Sequence, residues 1–380
     1  MSSVTGIILT YNRHDALRRQ LLYYRNKPIH LIIADGSDQD LDIVAKGFCG
    51  RMSWEYFRIT GYHSFSQRLL HACLLVKTEY VLFIEDEEPT LWTGIEKAVW
   101  FLGDNPDHSC AGGRVDHMRF YSGRLGIMKW RHWGNYFEII DSTRFLRLAS
   151  LLKSGRTVNL IWQVMRSEDI KRFARIPQAE FFFKPGRYIG LYELGLSGFL
   201  TICGKWQMGD YPFWIRYGGS QKIQLQNKNF DSEDERIIVG LFTSAVSDFE
   251  VDTSGFQFVL ERELRSEEFL RIFNVMRSQT RVDSLTVSNA GNLETDISWQ
   301  RLRQFLKNLF VKFSFLVWRV APSLHRVLRP NGVRRLKTYA KIYGHGDKKI
   351  NEDLSLVEKI WGQFPNGLSQ SQYEQELARV

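Results

Sequence analysis

Thr78-Glu79-Tyr80-Val81-Leu82-Phe83-Ile84-Glu85-Asp86-Glu87-Glu88 is an apolar run that ends in four successive carboxylates. Its length and its β-branched and aromatic content are those of a buried strand, which places the four acids at the carboxyl end. Four adjacent like charges repel one another, so they are tolerated where water screens them or where a cation sits among them. The segments around this strand favour the cation.

Upstream, Val4 to Thr10 is a short apolar strand, followed by Tyr11-Asn12-Arg13 and by helical spacing at Leu17, Leu21 and Leu22 that reaches about Tyr24. Ile29 to Ala34 is a second buried strand, stopping at Asp35-Gly36-Ser37-Asp38. Strand, helix and strand in this succession form a βαβ unit, which gathers its ligands at the carboxyl ends of the strands. Asn12, Arg13 and Asp35 then share one rim. A third strand over Trp54 to Ile59 and a helix over Ser66 to Val76 lead into the acidic strand, whose carboxylates fall on the same sheet edge as Asp35.

Downstream, Trp92 to Leu102 has helical spacing, and Cys110 to Val115, with Gly112-Gly113, reads as a strand or turn. Residues 116 to 165 are aromatic, and Thr157 to Met165 is expected to return to the sheet. Glu193 to Cys203 is a predicted helix closed by Gly204-Lys205, and Trp206 to Tyr217 is extended.

The chain has 380 residues, enough for a large catalytic domain with an appendage, and its 44% apolar and 24% charged content is that of a globular protein. The net charge of +9 points to an anionic partner. It is concentrated, because residues 301 to 344 contain eleven Lys and Arg and no Asp or Glu. Within that stretch Phe305, Leu306, Leu309, Phe313, Leu316, Val317 and Val320 have helical spacing. Lys312 and Arg319 argue against a spanning helix. Two readings fit: a basic amphipathic helix lying on an anionic membrane, or a helix packed on the catalytic domain with its charges solvated. No zinc spacing, RNA-binding aromatic motif or helix-turn-helix pattern supports a nucleic-acid partner. The four cysteines are scattered and form no CxxC pair, as expected of buried thiols in a reducing compartment. The opening residues lack the regions of a signal peptide, so a cytoplasmic location is expected, with association to the inner face of the membrane if the basic helix binds lipid.

Three places taken together, Ile7-Ile8-Leu9-Thr10-Tyr11-Asn12-Arg13, Ile32-Ile33-Ala34-Asp35-Gly36-Ser37 and Tyr80 to Glu88, resemble the GT-A nucleotide-sugar glycosyltransferases, in particular the inverting family 2, over about residues 4 to 220. The resemblance implies a GT-A, Rossmann-like mixed central sheet with flanking helices, plus a mainly helical C-terminal region. The corresponding domains are a catalytic unit over 1–225, a helical or mixed extension over 226–295, a basic amphipathic segment over 296–345 and a C-terminal tail over 346–380. It implies a nucleotide-diphosphate sugar as donor and a glycan or lipid-linked acceptor. In such enzymes the aspartate that ends the second strand contacts the base, which maps onto Asp35 and its neighbour Gly36, and the first turn lines the nucleotide pocket, here Thr10, Tyr11 and Arg13.

The acidic motif implies Mg²⁺ or Mn²⁺ on hard oxygen ligands. Asp86 has the family's residue type, and Glu88 is the second ligand because alternate residues of an extended segment point the same way. The family usually carries aspartates where this chain has glutamates. An inverting transfer also needs a carboxylate base. Tyr192-Glu193-Leu194, followed by Gly204-Lys205 and an aromatic strand ending near Arg216, resembles the base-bearing segment, with Glu193 as the base. A literal Glu168-Asp169 pair reads instead as the first turn of a surface helix. Arg13, Arg68 and Arg216 suit bidentate phosphate contact, and Trp130, Trp133, Trp206 and Trp214 could stack on a sugar, although core packing is the more usual place for a tryptophan. Two alternatives remain open: a nucleotidyltransferase, which normally needs a glycine-rich first loop that Thr10 to Arg13 lack, and a degenerate transferase that binds a sugar or partner without turnover.

Overall fold

A computed structural model describes residues 3–41, 52–61, 65–121, 124–129, 138–154, 161–176, 189–217, 232–247, 347–364 and 367–378. The basic segment over 301–345, Trp130 and Trp133 lie outside these residues.

The chain opens β1 (Val4–Thr10), α1 (His14–Tyr24), β2 (His30–Asp35), β3 (Ser53–Arg58), α2 (Phe65–Leu75), β4 (Tyr80–Glu85) and α3 (Trp92–Asp104). It continues with β5 (His108–Tyr121), β6 (Arg124–Lys129), β7 (Glu138–Ile139), α4 (Arg144–Ser154), β8 (Val164–Arg166), α5 (Ser167–Arg175), α6 (Ile189–Cys203), β9 (Lys205–Tyr217) and α7 (Ser232–Ser247). Two further helices, α8 (Lys348–Gln363) and α9 (Gln370–Ala378), close it. The segment expected as a tail is therefore mostly helical.

Nine strands form one sheet in the order β3-β2-β1-β4-β8-β5-β9-β7, with β6 on β5. The β3-β2-β1-β4 half is parallel, and β8 is antiparallel to both β4 and β5. This is the Rossmann-like mixed sheet with flanking helices that the resemblance implies. Register decides the site, because Thr10 lies opposite Asp35 and Leu9 opposite Glu85, so the turns after β1, β2 and β4 leave one edge together.

The apolar runs of β1, β2 and β4 are buried on both faces, as a parallel sheet between two helical layers requires. One layer packs α2, α4, α5, α6 and α7 against residues such as Ile7, Ile32 and Phe83. The other packs α1, α3, α8 and α9 against Ile8, Ile33 and Leu82. Gly112-Gly113 lies inside β5 and not at its end. A Cβ on Gly112 would come within 1.4 Å of Gln163 Oε1, and one on Gly113 within 2.5 Å of the Tyr211 carbonyl. The glycines let β8 and β9 approach where the β5–β9 register shifts. Among the described residues no helix is long and apolar enough to cross a membrane.

Candidate active site

The β1 turn and the β2 turn are stitched together. Asn12 takes φ 54°, a left-handed value that asparagine tolerates better than most residues. There its backbone N–H donates to Ser37 Oγ at 2.8 Å, its side-chain amide donates to Asp38 at 3.0 Å, and its amide oxygen accepts from the Asp38 N–H at 3.1 Å. Gly36 N–H donates to the Thr10 carbonyl at 2.9 Å. Tyr11 sits half-buried in the same turn.

Asp35 is fully buried. Its Oδ2 lies 2.8 Å from His14 Nε2 and accepts from the Tyr56 hydroxyl at 3.1 Å, and its Oδ1 accepts from the Ser37 N–H at 2.8 Å. Burial works to raise this carboxyl, but the His14 and Ser37 hydrogen bonds outweigh it and hold its pKa below the ordinary value. Asp35 is thus an ionised carboxylate held at the rim.

Arg68, from α2, is 2% exposed and donates to the Ile59 and Gly61 carbonyls at 3.2 and 2.9 Å. A Cβ on Gly36 would come 1.9 Å from Arg68 Nη1, so a larger residue at 36 would have to displace the guanidinium. Burial lowers its pKa against the pull of Asp35 and Tyr11. In this arrangement Arg68 braces the rim formed by the turns after β1 and β2.

At the end of β4 the acids are far from a solvated loop. Asp86 and Glu88 are 3% and 7% exposed. Asp86 accepts from the Thr10 hydroxyl at 2.9 Å, and Arg13 Nη1 stands 3.4 Å from both Asp86 and Glu87. Glu88 meets Arg216 Nε at 3.6 Å. Arg216 also lies over the Trp214 ring, 5.3 Å from its centroid. Arg13 and Arg216 thus approach this acidic turn from two sides. Burial raises the Asp86 carboxyl to about 6 even with Arg13 opposing it. Glu85 is pushed well above the ordinary range by burial and by Glu88 and Asp86.

Glu193 stands in the first part of α6, largely enclosed, and burial raises its pKa to about 7 while the charge of Arg216 pulls it down. Its neighbour Tyr192 is buried and feels the charges of both Glu193 and Glu85. Asp169, the rival carboxylate, opens α5 and hydrogen-bonds Cys203 at the far end of α6. Ten residues of helix separate Cys203 from Glu193, about 15 Å along the axis. Of the two, Glu193 is the one on the side of Arg216 and the acidic turn. Trp206 is fully buried and Trp214 is 4% exposed, so both belong mainly to the core.

Among the described residues no three carboxylate, imidazole or thiol side chains converge as a complete metal cage. Asp86 and Glu88 offer hard carboxylate oxygens, each now facing an arginine, a donor chemistry that fits a Mg²⁺ or Mn²⁺ that takes one or two carboxylates and completes its shell with phosphate oxygens and water.

Solved structures of S. aureus TarS are similar to this chain. The crystal structure of TarS 1–349 is 13% identical with a TM-score of 0.47, covering 95% of this chain and 91% of that one. Its complex with UDP-GlcNAc is 12% identical with a TM-score of 0.48, covering 75% and 76%. The complex with UDP is 13% identical with a TM-score of 0.46, covering 95% and 91%. No family model matches the chain, and no curated protein does. At these identities and scores a likeness assigns no residue its role, which rests on the geometry above.

Sequence reasoning did not find His14 and Tyr56 as the partners of Asp35, nor Glu87 as a partner of Arg13. His14 carries a weak signal, being the first residue of the helix that follows the β1 turn. Tyr56 carries none, because its meeting with Asp35 depends on the parallel register of β2 and β3.

Proposed function

We propose that this chain is a glycosyltransferase that moves a sugar from a nucleoside-diphosphate donor to the hydroxyl of a glycan or lipid-linked acceptor, with inversion at the anomeric carbon. One observation carries the reading: a buried acidic turn and a glutamate whose carboxyl burial raises to about 7 both face Arg216, on the sheet edge where Asp35 ends β2. Parallel sheets bind ligands on that edge.

Thr10, Tyr11, Asp35 and Gly36 form the nucleoside rim, kept in shape by Arg68. Arg13 and Arg216 turn from their carboxylates to the phosphate oxygens of the donor, which present the same charge and geometry. Asp86 and Glu88 would hold a Mg²⁺ or Mn²⁺, which would supply positive charge to the leaving nucleoside diphosphate. Glu193 accepts the proton of the acceptor hydroxyl as it attacks. A pKa of about 7 leaves it partly ionised at neutral pH and basic enough to take that proton. The basic segment over 301–345 holds the enzyme against an anionic membrane where surface polysaccharides are assembled, on the cytoplasmic side. The pairing of both metal-site carboxylates with arginines favours, as second reading, a sugar-binding protein without turnover.

A panel of nucleotide sugars scored by thermal shift with Mn²⁺ tests the donor assignment, since a ligand that binds only the folded state raises its stability. At least one nucleoside-diphosphate sugar should raise the melting temperature saturably. If none does, the reading is wrong. Release of nucleoside diphosphate from the sugar that binds separates the enzyme from the non-catalytic binder.

A further inference from the structure

The acidic turn is bound through its backbone as well as its side chains. Four of its carbonyls are taken by three different elements. Gln20, from α1, donates to the Glu85 carbonyl at 2.8 Å, and Tyr24, from the same helix, donates to that of Thr90 at 2.6 Å. Ile215 N–H, from β9, donates to Pro89 at 2.9 Å. The fourth donor comes from 274 residues away: the indole Nε1–H of Trp361, on α8, reaches the Glu87 carbonyl at 2.9 Å. That bond fixes the peptide plane between Glu87 and Glu88, and with it the direction in which both side chains leave the backbone.

Trp361 is itself held rigidly. It is fully buried, edge-on to Tyr23 with centroids 6.3 Å apart, and the Arg19 guanidinium lies 5.4 Å from its ring centre. Arg19 also donates to the Phe364 carbonyl at 3.0 Å. At the other end of α8, buried Asp353 accepts from the Thr93 N–H and hydroxyl, both at 2.6 Å, and pairs with Lys27 at 2.6 Å. The turn after α8 is equally specific. Leu368 N–H donates to the Asp15 carbonyl at 2.8 Å, and Gly367, at φ 102°, leaves no room for a Cβ beside Asp15. Tyr23, Arg19 and Asp15 among these partners lie on α1, whose first turn follows Thr10 to Arg13, and Thr93 lies on α3.

We propose that the α8–α9 pair is a built-in part of the donor site, and that Trp361 is a positioning residue whose indole N–H sets the acidic turn for the diphosphate and its cation. The proposal rests on the reading of that turn as the donor site. A tryptophan needed only for packing would be served by its ring. A positioning tryptophan needs its N–H, because without it the Glu87 carbonyl is left unbonded and the turn gains freedom.

The test compares Trp361→Phe, which keeps an aromatic ring and deletes the N–H, with Lys27→Met, which weakens the seating of α8 without touching the turn. Hydrogen–deuterium exchange of peptides spanning 85–90 is read without ligand. The Mn²⁺ concentration for half-maximal thermal shift is read with the best-binding nucleotide sugar. In Trp361→Phe, exchange of the turn should accelerate and the half-maximal Mn²⁺ concentration should rise by about ten-fold, the scale of one lost hydrogen bond at a buried site. Lys27→Met should lower the melting temperature comparably and leave the Mn²⁺ requirement unchanged. Unchanged exchange at 85–90 in Trp361→Phe, or equal Mn²⁺ shifts in the two variants, would overturn the positioning role. Faster exchange in Trp361→Phe with no nucleotide binding by the native protein would place the failure in the donor-site reading, and the proposal would fall with it.

Discussion

Replacing Glu193 by glutamine should abolish transfer while making the folded chain more stable, a combination that a merely structural glutamate does not give. The carboxyl of Glu193 titrates at about 7 in the fold against an ordinary 4.5, with burial as the cause. A raised acid contributes its full stability below the ordinary pKa, and loses it as pH climbs through the folded one. Across that gap, at about 1.4 kcal/mol per pH unit, ionising Glu193 in place costs the fold about 3 kcal/mol at pH 8. This is an upper figure, since the residue keeps some contact with water. Glutamine does not ionise and escapes the cost. Urea denaturation of both proteins should show the variant ahead by up to about 3 kcal/mol at pH 8 and by under about 1 kcal/mol at pH 5. Donor binding should persist, because Glu193 is assigned to the acceptor's proton. A variant that is no more stable at pH 8 would refute the burial argument, and one that still transfers sugar at the native rate would refute the base assignment.

Two further substitutions probe the surrounding geometry. Gly36→Ala places a methyl group 1.9 Å from Arg68 Nη1 and should expel the guanidinium from the Ile59 and Gly61 carbonyls. A loss of about 2–4 kcal/mol in thermal or urea denaturation is expected, with weakened nucleotide binding. Arg216→Gln removes the charge that holds the Glu193 carboxyl down, so the acidic limb of the pH–rate profile should move to higher pH by about half a unit or more. An unmoved limb would separate Arg216 from the base.

The strands that carry the site were legible because β1, β2 and β4 are continuous apolar runs, each ending in polar residues that a parallel sheet must deliver to one edge. Gly36 was legible as part of a motif, although its physical reason, the Arg68 guanidinium beneath it, was not. The short strand β8 was hard to bound, because three residues between an aromatic stretch and a helix carry little periodicity. The same limit hid the full length of β5, where Cys110 to Val115 reads as a strand or a turn and the two glycines prove to serve close packing of neighbouring strands. Between Asp169 and Glu193 the sequence favours Glu193 only through its resemblance to a base-bearing segment; the length of α6 adds a spatial reason, since it sets Asp169 at Cys203 and Glu193 within reach of the charge of Arg216. The stretch over 346–380 reads as a tail, although Ile350, Leu354, Val357 and Trp361 stand at helical spacing, and nothing local in that pattern names the target of α8 on the acidic turn.

The central claim is that the edge bearing Asp35, Arg13 and Asp86 receives a nucleoside diphosphate together with a divalent cation. Crystals soaked with Mn²⁺ and the nucleoside diphosphate of the best-binding sugar test it directly, through the anomalous signal of manganese. The account predicts a manganese peak about 2.1–2.2 Å from a carboxylate oxygen of Asp86 or Glu88, with the diphosphate beside Arg13 and Arg216. The same soak of Asp86→Asn should lose most of that peak. Nucleotide density elsewhere on the molecule, with this edge bare of both groups, would contradict the account.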